Sequence, residues 1–343
     1  MKITPCLSWE AITLKFHNPF HLSTGVSTTR RAYWIRLVDD EGWGEGWGEG
    51  TIPPYYNVKD DDMTSLWDTA SLREIPFPDD PAEIPSWIGE NGPAPARAAL
   101  DLALHDRIGK KLNLPLHQLL DLPKPVPVST AFTISISSPE EMGQMAADHP
   151  QYPIIKLKLG SEDDISRVAA VRKARPDVLL YVDANAGWSP EEAVKLAADL
   201  APYQIEMIEQ PVRGDDIKGL GYVQAHTDIP IVADESVQSI ADIVELAKVG
   251  VQGINLKLMK LGGLTPTINM LKRGRELGLK IMLGCMAETS LGVTAMSHLT
   301  GWADWIDLDA PLLISNDPFE GISYNGAQIH MPERTGIGIR KRV

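Results

Sequence analysis

Residues 152–186 read YPIIKLKLGSEDDISRVAAVRKARPDVLLYVDANA: an apolar β-type run, an amphipathic stretch, and a second apolar run that ends on an acid. This is one strand–helix–strand unit. The same grammar extends in both directions. VPVSTAFTISI (126–136) precedes it, and IEMIEQPV (205–212), IPIVADES (229–236), GINLKLMK (253–260), KIMLGCMAE (280–288) and a last run ending WIDLDAP (305–311) follow. The intervening helices carry start and stop signals. Ser138-Pro139-Glu140-Glu141 and Ser189-Pro190-Glu191-Glu192 each supply a serine N-cap, proline at N1 and glutamate at N3; Thr265-Pro266 opens another helix and Gly278 stops it. Strict alternation predicts a parallel sheet with right-handed crossovers. Eight strands, or seven if the last unit is irregular, favour a closed barrel over an open sheet. No GxGxxG follows a first strand, which leaves little for a Rossmann reading.

The first 120 residues follow a different rule. Ala11–Phe16 and Ala32–Val38 read as strands, and Ala94–Lys111 as a helix with Ala99, Leu100, Leu102, Ala103 and Leu104 on its apolar side. EGWGEGWGEG (41–50) repeats Trp-Gly-Glu-Gly, and so much glycine predicts a turn or loop, with a mobile lid as its functional reading. A linker-like stretch rich in Asp and Pro spans Lys59–Glu90. This half is α+β. The 343 residues, 43% hydrophobic and 23% charged, suit a soluble globular protein of about two domains. A net charge of −14 with no basic stripe argues against nucleic acid, and no apolar run spans a bilayer. MKITPCLSWE reads as no secretory signal, and the two cysteines form no disulfide framework, so a cytoplasmic setting is expected.

The strand ends carry the chemistry. Lys158, Asp183, Glu209, Asp234 and Lys257 follow one another at steps of 25, 26, 25 and 23 residues, about one strand, one helix and two loops each. Side chains at successive strand C-termini meet at one mouth of a barrel, where barrel enzymes keep their active sites. Three carboxylates there make a hard oxygen site suited to one Mg²⁺, or Mn²⁺, per subunit; no His or Cys stands at a comparable position to favour zinc. In Ile155-Lys156-Leu157-Lys158-Leu159 the lysines alternate with apolar residues, which turns leucines to the helices and lysines to the barrel interior. Neighbouring positive charge would lower a lysine's pKa towards that of a general base. Lys158 on the second strand and Lys257 on the sixth lie across an eight-membered ring, able to work on opposite faces of one carbon. Lys260 lies past the strand end and reads as structural.

The set KLKLG, VDAN, IEQP, ADES, NLKLMKLGG and CMAET, with GWGEG and ALHDRIGK in the first half, resembles the enolase superfamily in its muconate-lactonising branch. The resemblance implies a modified TIM barrel, (β/α)7β, at 121–315. It also implies an N-terminal α+β capping domain at 1–120, with lid loops near 20–30 and 43–57, and a tail at 316–343 that returns to the cap. Asp183, Glu209 and Asp234 become Mg²⁺ ligands, Lys158 and Lys257 an acid/base pair, and Lys156 the residue that tunes Lys158. Asp307-Leu308-Asp309 resembles the DxD motif of dipeptide epimerases, which holds the substrate's free ammonium. Two carboxylates suit a cation and repel a dianion. Thr133, Cys285 and Met286 become candidate substrate contacts.

The expected activity is therefore Mg²⁺-dependent 1,1-proton transfer at the α-carbon of a dipeptide's C-terminal residue. The alternative is an o-succinylbenzoate synthase, N-acylamino acid racemase or cycloisomerase using the same metal and lysines. Family members selective for Ala-Glu often carry an arginine in the loop near the start; here the aligned position is Gly25, while Arg30 and Arg31 fall in the following strand. With Ile52-Pro53-Pro54-Tyr55-Tyr56 nearby, an apolar second residue is expected. The partner is a small molecule, with no nucleic acid and no membrane, and a homo-oligomer left open.

Overall fold

The computed structural model describes residues 6–23, 25–38, 45–53 and 56–342. An antiparallel three-stranded sheet opens the chain: β1 (Cys6–Leu22), β2 (Gly25–Val38) and β3 (Glu45–Thr51), in that order. Helix α1 (Asp60–Ser71) and helix α2 (Ala94–Lys111) pack on it. Two expectations change here. The stretch 59–90 is not a linker, because Met63, Leu66, Trp67 and Ala70 recur at helical spacing and bury one face of α1. Nor is the glycine repeat a loop over its described part, since Glu45–Thr51 pairs along its length with β2.

The glycines answer to a neighbour distant in sequence. A Cβ on Gly48 would lie 1.9 Å from the Ala99 carbonyl oxygen of α2, and one on Gly46 2.1 Å from that of Ala103. Only a bare backbone lets strand and helix approach so closely. Glu49, beside Gly48, points to the opposite face of the strand, away from α2. Lid assignments at 24, 41–44, 54 and 55 lie outside the described residues.

Eight parallel strands follow: β4 (Phe132–Ile134), β5 (Ile154–Lys158), β6 (Leu179–Asp183), β7 (Ile205–Glu209), β8 (Ile231–Ala233), β9 (Gly253–Leu256), β10 (Lys280–Gly284) and β11 (Trp305–Asp307). Their order in the sheet is their order in the chain. The Ala131 amide donates to the Ile306 carbonyl at 3.0 Å, which joins first strand to last. Seven main crossover helices separate them: α3 (Pro139–Asp148), α4 (Asp164–Ala174), α5 (Pro190–Leu200), α6 (Ile217–Gln224), α7 (Ile240–Lys248), α8 (Leu264–Glu276) and α9 (Ser290–Ser297). The fold is a modified TIM barrel, (β/α)7β. Both predicted capping boxes form, at Ser138 and Ser189.

Alternation sorts the strands into two cores. Ile155, Leu157, Leu180, Val182, Ile208 and Leu256 face the helices. Ala131, Tyr181, Met207, Val232, Met282 and Trp305 plug the interior below the mouth. The predicted first strand divides: Phe132–Ile134 enters the barrel, while Val128–Ser129 pairs with Gln328–His330 of the tail. The tail also sends Phe319 between Trp34 and Trp47 of the first sheet, at ring separations of 5.7 and 5.5 Å. Among the described residues no helix is long and apolar enough to cross a membrane.

Candidate functional site

Inward-facing positions above the interior plug are polar on every strand but β10, which carries Gly284. Register sets Lys158 beside Asp183 and Asp183 beside Glu209, one strand end after the next. Every one of these groups is buried, and burial of a charge is tolerated only against a partner. The partners are each other. Lys158 Nζ lies 2.6 Å from Asp183 Oδ2, and Lys257 Nζ lies 2.6 Å from Asp234 Oδ2. Lys260, past the strand end, donates to the Asp234 carbonyl at 2.5 Å, to its Oδ1 at 2.6 Å and to the Asn255 carbonyl at 2.9 Å. That lysine braces Asp234 from behind.

Lys156 is the hub. Its ammonium, 1% exposed, stands 2.7 Å from Asp307 Oδ2, 2.7 Å from Glu209 Oε2 and 3.1 Å from Asp183 Oδ2. Burial pulls its pKa down, but the charges of Asp307, Glu209 and Asp183 outweigh it and hold the group well above the ordinary lysine value. The two acids respond oppositely. Against the cost of burial, Lys158 and Lys156 hold Asp183 at about 2. Burial and the adjacent Asp183 raise Glu209.

Oxygen atoms in this cluster exceed the donors available to them. Glu209 Oε2, Asn185 Oδ1, Glu235 Oε2 and Asn255 Oδ1 are buried without a hydrogen-bond partner. Lys156 Nζ approaches the first of these at ion-pair distance but off the line of a hydrogen bond. Burial, then the charges of Asp234 and Asp183, push the Glu235 carboxyl up to about 8. Such a surplus of hard oxygen fits a divalent cation. Among the described residues no three His, Cys, Asp or Glu side chains are gathered as a ready cage, because lysine ammonium groups hold the carboxylates.

Above the cluster opens a cavity of roughly 80 Å³. Thr133, Lys156, Lys158, Lys257, Cys285, Met286, Asp307 and Asp309 all line it. Asp309 is not a strand residue: it precedes the short helix Ala310–Leu313. The Thr133 amide donates to Asp309 Oδ2 at 2.8 Å, and its hydroxyl to Asp307 Oδ1 at 3.5 Å. Burial, then the charge of Asp307, raise Asp309 to about 7.

Gly25 stands apart from the cavity. It is exposed near the tip of the β1–β2 hairpin at φ +136°, and a Cβ there would meet nothing within 4 Å. The cap contributes Phe16, Phe20, Leu22, Arg30, Ile52 and Pro53 instead. Pro54 and Tyr55 lie outside the described residues. Arg31, next to Arg30 on β2, pairs with Asp60 at 3.0 Å.

The sequence reading passed over Asn185, Gln210, Glu235 and Asn255. Asn255 donates to Glu209 Oε1 at 2.8 Å. Gln210 accepts the amide of Asp234 at 2.7 Å and fixes the backbone that carries it. A signal exists along the chain: Gln210 and Glu235 directly follow a named acid, Asn185 stands two residues after one, and Asn255 two before Lys257.

Comparison with known proteins agrees with this architecture. Residues 140–342 match the enolase C-terminal domain-like family. An L-Ala-D/L-Glu epimerase of Bacteroides thetaiotaomicron is 33% identical over 334 residues, 96% of this chain and 86% of that one. A hydrophobic dipeptide epimerase of Enterococcus faecalis is 40% identical over 256 residues, 71% of this chain and 72% of that one. The crystal structure of an E. faecalis dipeptide epimerase with Mg and L-Leu-L-Tyr superposes at a TM-score of 0.92 with 32% identity, covering 98% of this chain and 99% of that one. The chain belongs to the enolase C-terminal domain-like family, alongside these epimerases.

Proposed function

We propose that this member of the enolase superfamily is a dipeptide epimerase, inverting the α-carbon of the substrate's C-terminal residue by 1,1-proton transfer. One observation carries the reading. Lys158 and Lys257, from the second and sixth of eight strands, line one cavity whose wall also presents Asp307 and Asp309. Two amines on opposite sides of one carbon suit inversion. Two carboxylates suit a free ammonium, which a dipeptide has and an N-acylamino acid lacks.

The chemistry needs both parts. An α-proton beside a carboxylate is weakly acidic, because its removal adds a second negative charge. Asp183, Glu209 and Asp234 are the residues that would hold Mg²⁺, which when bound supplies positive charge against that developing anion. One lysine accepts the proton at its neutral Nζ from one face. The other, as ammonium, returns a proton to the opposite face, and the two exchange roles with direction. Lys156 stays cationic and ties Asp307 to the acid cluster. Asp309, held by the Thr133 amide, receives the substrate ammonium. Phe20, Leu22, Ile52, Pro53 and Met286 support an apolar second residue. The two free cysteines, Cys6 and Cys285, support a reducing cytoplasmic setting.

The test is incubation in D₂O with Mg²⁺ and a panel of dipeptides, followed by proton NMR. Deuterium at the C-terminal α-carbon of both epimers is the expected result. No exchange with any dipeptide refutes the proposal.

A further inference from the structure

A second cavity, of roughly 230 Å³, opens beside the barrel mouth. The two spaces share Phe16, Phe20, Thr133 and Leu313. They meet at the threonine whose amide holds Asp309. The mouth, with the lysines, offers roughly 80 Å³. Most of the open room thus lies past the ammonium anchor and not around the reacting carbon.

The cap builds one wall of this annex through an irregularity in β1. The ladder with β2 pairs Lys15 with Thr29 and resumes at Phe20 with Ser27, so Phe16, His17, Asn18 and Pro19 stand outside it. A bulge of this kind re-aims side chains. Phe16 and Phe20 come together as a stacked pair, with planes 14° apart and ring centres at 5.5 Å. Both ends are pinned to the barrel. The Ser315 amide donates to the Lys15 carbonyl at 2.8 Å, Phe16 bridges to Ile314, and the Ile136 amide donates to the His21 carbonyl at 3.1 Å. The barrel supplies the rest of the lining. There the His149 ring stacks on Phe132 at 4.4 Å, fixed by its Nδ1 lying 2.8 Å from the Met145 carbonyl. Phe16, Phe20, Met145, Leu312 and Leu313 are all half-buried, which leaves apolar surface open within a built recess. Among the described residues no Asp, Glu, Lys or Arg lines it.

We infer that this annex takes the side chain of the substrate's N-terminal residue and selects a large aromatic one. The inference rests on the dipeptide reading of the site. Once Asp309 holds the ammonium, the Cα of that residue stands one bond from the anchored nitrogen. Its peptide group must run towards the lysines, which leaves its side chain facing Thr133 and the Phe16–Phe20 pair. Ring contacts with Phe16, Phe20 and His149 favour an aromatic group over an aliphatic chain. A charged side chain would lose its water to apolar walls that offer no counter-ion. Bulk is thus read at the residue that does not react.

Calorimetry on Mg²⁺-loaded full-length protein tests this with two ligands, L-phenylalanyl-aminoisobutyrate and L-alanyl-aminoisobutyrate, neither of which has a C-terminal α-proton. The phenylalanyl ligand should bind about tenfold tighter or more, as burial of a ring in place of a methyl requires. Ser135 lines the annex but not the mouth. Ser135→Phe should fill the recess and bring the two affinities together. Comparable affinities in the parent protein, no binding of either ligand, or the parent's ratio surviving in folded Ser135→Phe overturns the assignment. Deuterium exchange is a separate readout. The expected ratio without exchange from any dipeptide would sustain the annex and sink epimerisation, whereas exchange with comparable affinities would do the reverse.

Discussion

Asp307 and Asp309 look equivalent as a motif, yet the structure makes them unequal. The Asp307 carboxylate is already answered by the Lys156 ammonium at 2.7 Å. Asp309 carries the burden of its own burial and of its neighbour's charge, which raise it to about 7 from an ordinary 3.8. In the free enzyme the neutral form is thus favoured below pH 7. A substrate ammonium favours the anion, so binding must displace the proton. At pH 6 about nine-tenths of a group with pKa near 7 is protonated, and at pH 8 about one-tenth. Asp309 should then release roughly 0.9 proton at pH 6 and 0.1 at pH 8; the dipeptide's own amine, with a pKa near 8, takes up about 0.5 proton at pH 8, so affinity should rise about fivefold between them. Calorimetry in buffers of different ionisation enthalpy measures this directly. L-alanyl-aminoisobutyrate with Mg²⁺ is the suitable ligand, since its C-terminal residue has no α-proton to remove. Asp309→Asn should abolish the extra proton release and weaken binding by about 1.5–3 kcal/mol, the worth of a hydrogen bond to a charged group. Equal proton release in parent and variant, or an affinity flat from pH 6 to pH 8, would refute the reasoning.

Three further outcomes follow from the same geometry. Lys158→Ala and Lys257→Ala should each lose epimerisation by on the order of 10²–10⁴-fold. Each should still exchange the α-proton of one epimer in D₂O, and the epimer should differ between them; exchange of the same epimer in both counts against an opposed pair. Gly48→Ala sets a methyl 1.9 Å from the Ala99 carbonyl and 2.9 Å from the Ala103 nitrogen. It should cost about 3 kcal/mol or more in urea unfolding, and a loss under about 1 kcal/mol contradicts the packing described. His298, lowered by burial to about 4 from 6.5, binds a proton more readily when unfolded. Its contribution to stability is complete above pH 6.5 and lost as pH falls towards 4. Between pH 7.5 and pH 4.5 the parent should lose about 2.5 kcal/mol more than His298→Gln, and equal losses would show that the imidazole is not held neutral.

Sequence and structure parted at identifiable places. EGWGEGWGEG reads locally as a turn because glycine usually relaxes the backbone. In the fold its glycines serve a helix some 50 residues further on, and Glu49 leaves the sheet to accept the amide of Thr289 at 2.9 Å and its hydroxyl at 2.6 Å. That contact joins cap to barrel across 240 positions. Gly25 was expected at the substrate and stands at an open hairpin tip. Phe20, Leu22 and Arg30 line the cavity in its place.

The amino-acid sequence alone determined the barrel, because a strand period of about 25 residues and two-residue alternation within strands are local properties. These sort leucine from lysine without reference to any partner. The same arithmetic gathered Lys158, Asp183, Glu209, Asp234 and Lys257 at one mouth. Only the tertiary structure decided how their charges are shared. Lys156 is shared among three acids drawn from three strands, Lys260 braces Asp234, and Asp309 is left to bear its own burial. Charge compensation depends on distances between residues remote in the chain, and no pattern along one strand encodes them.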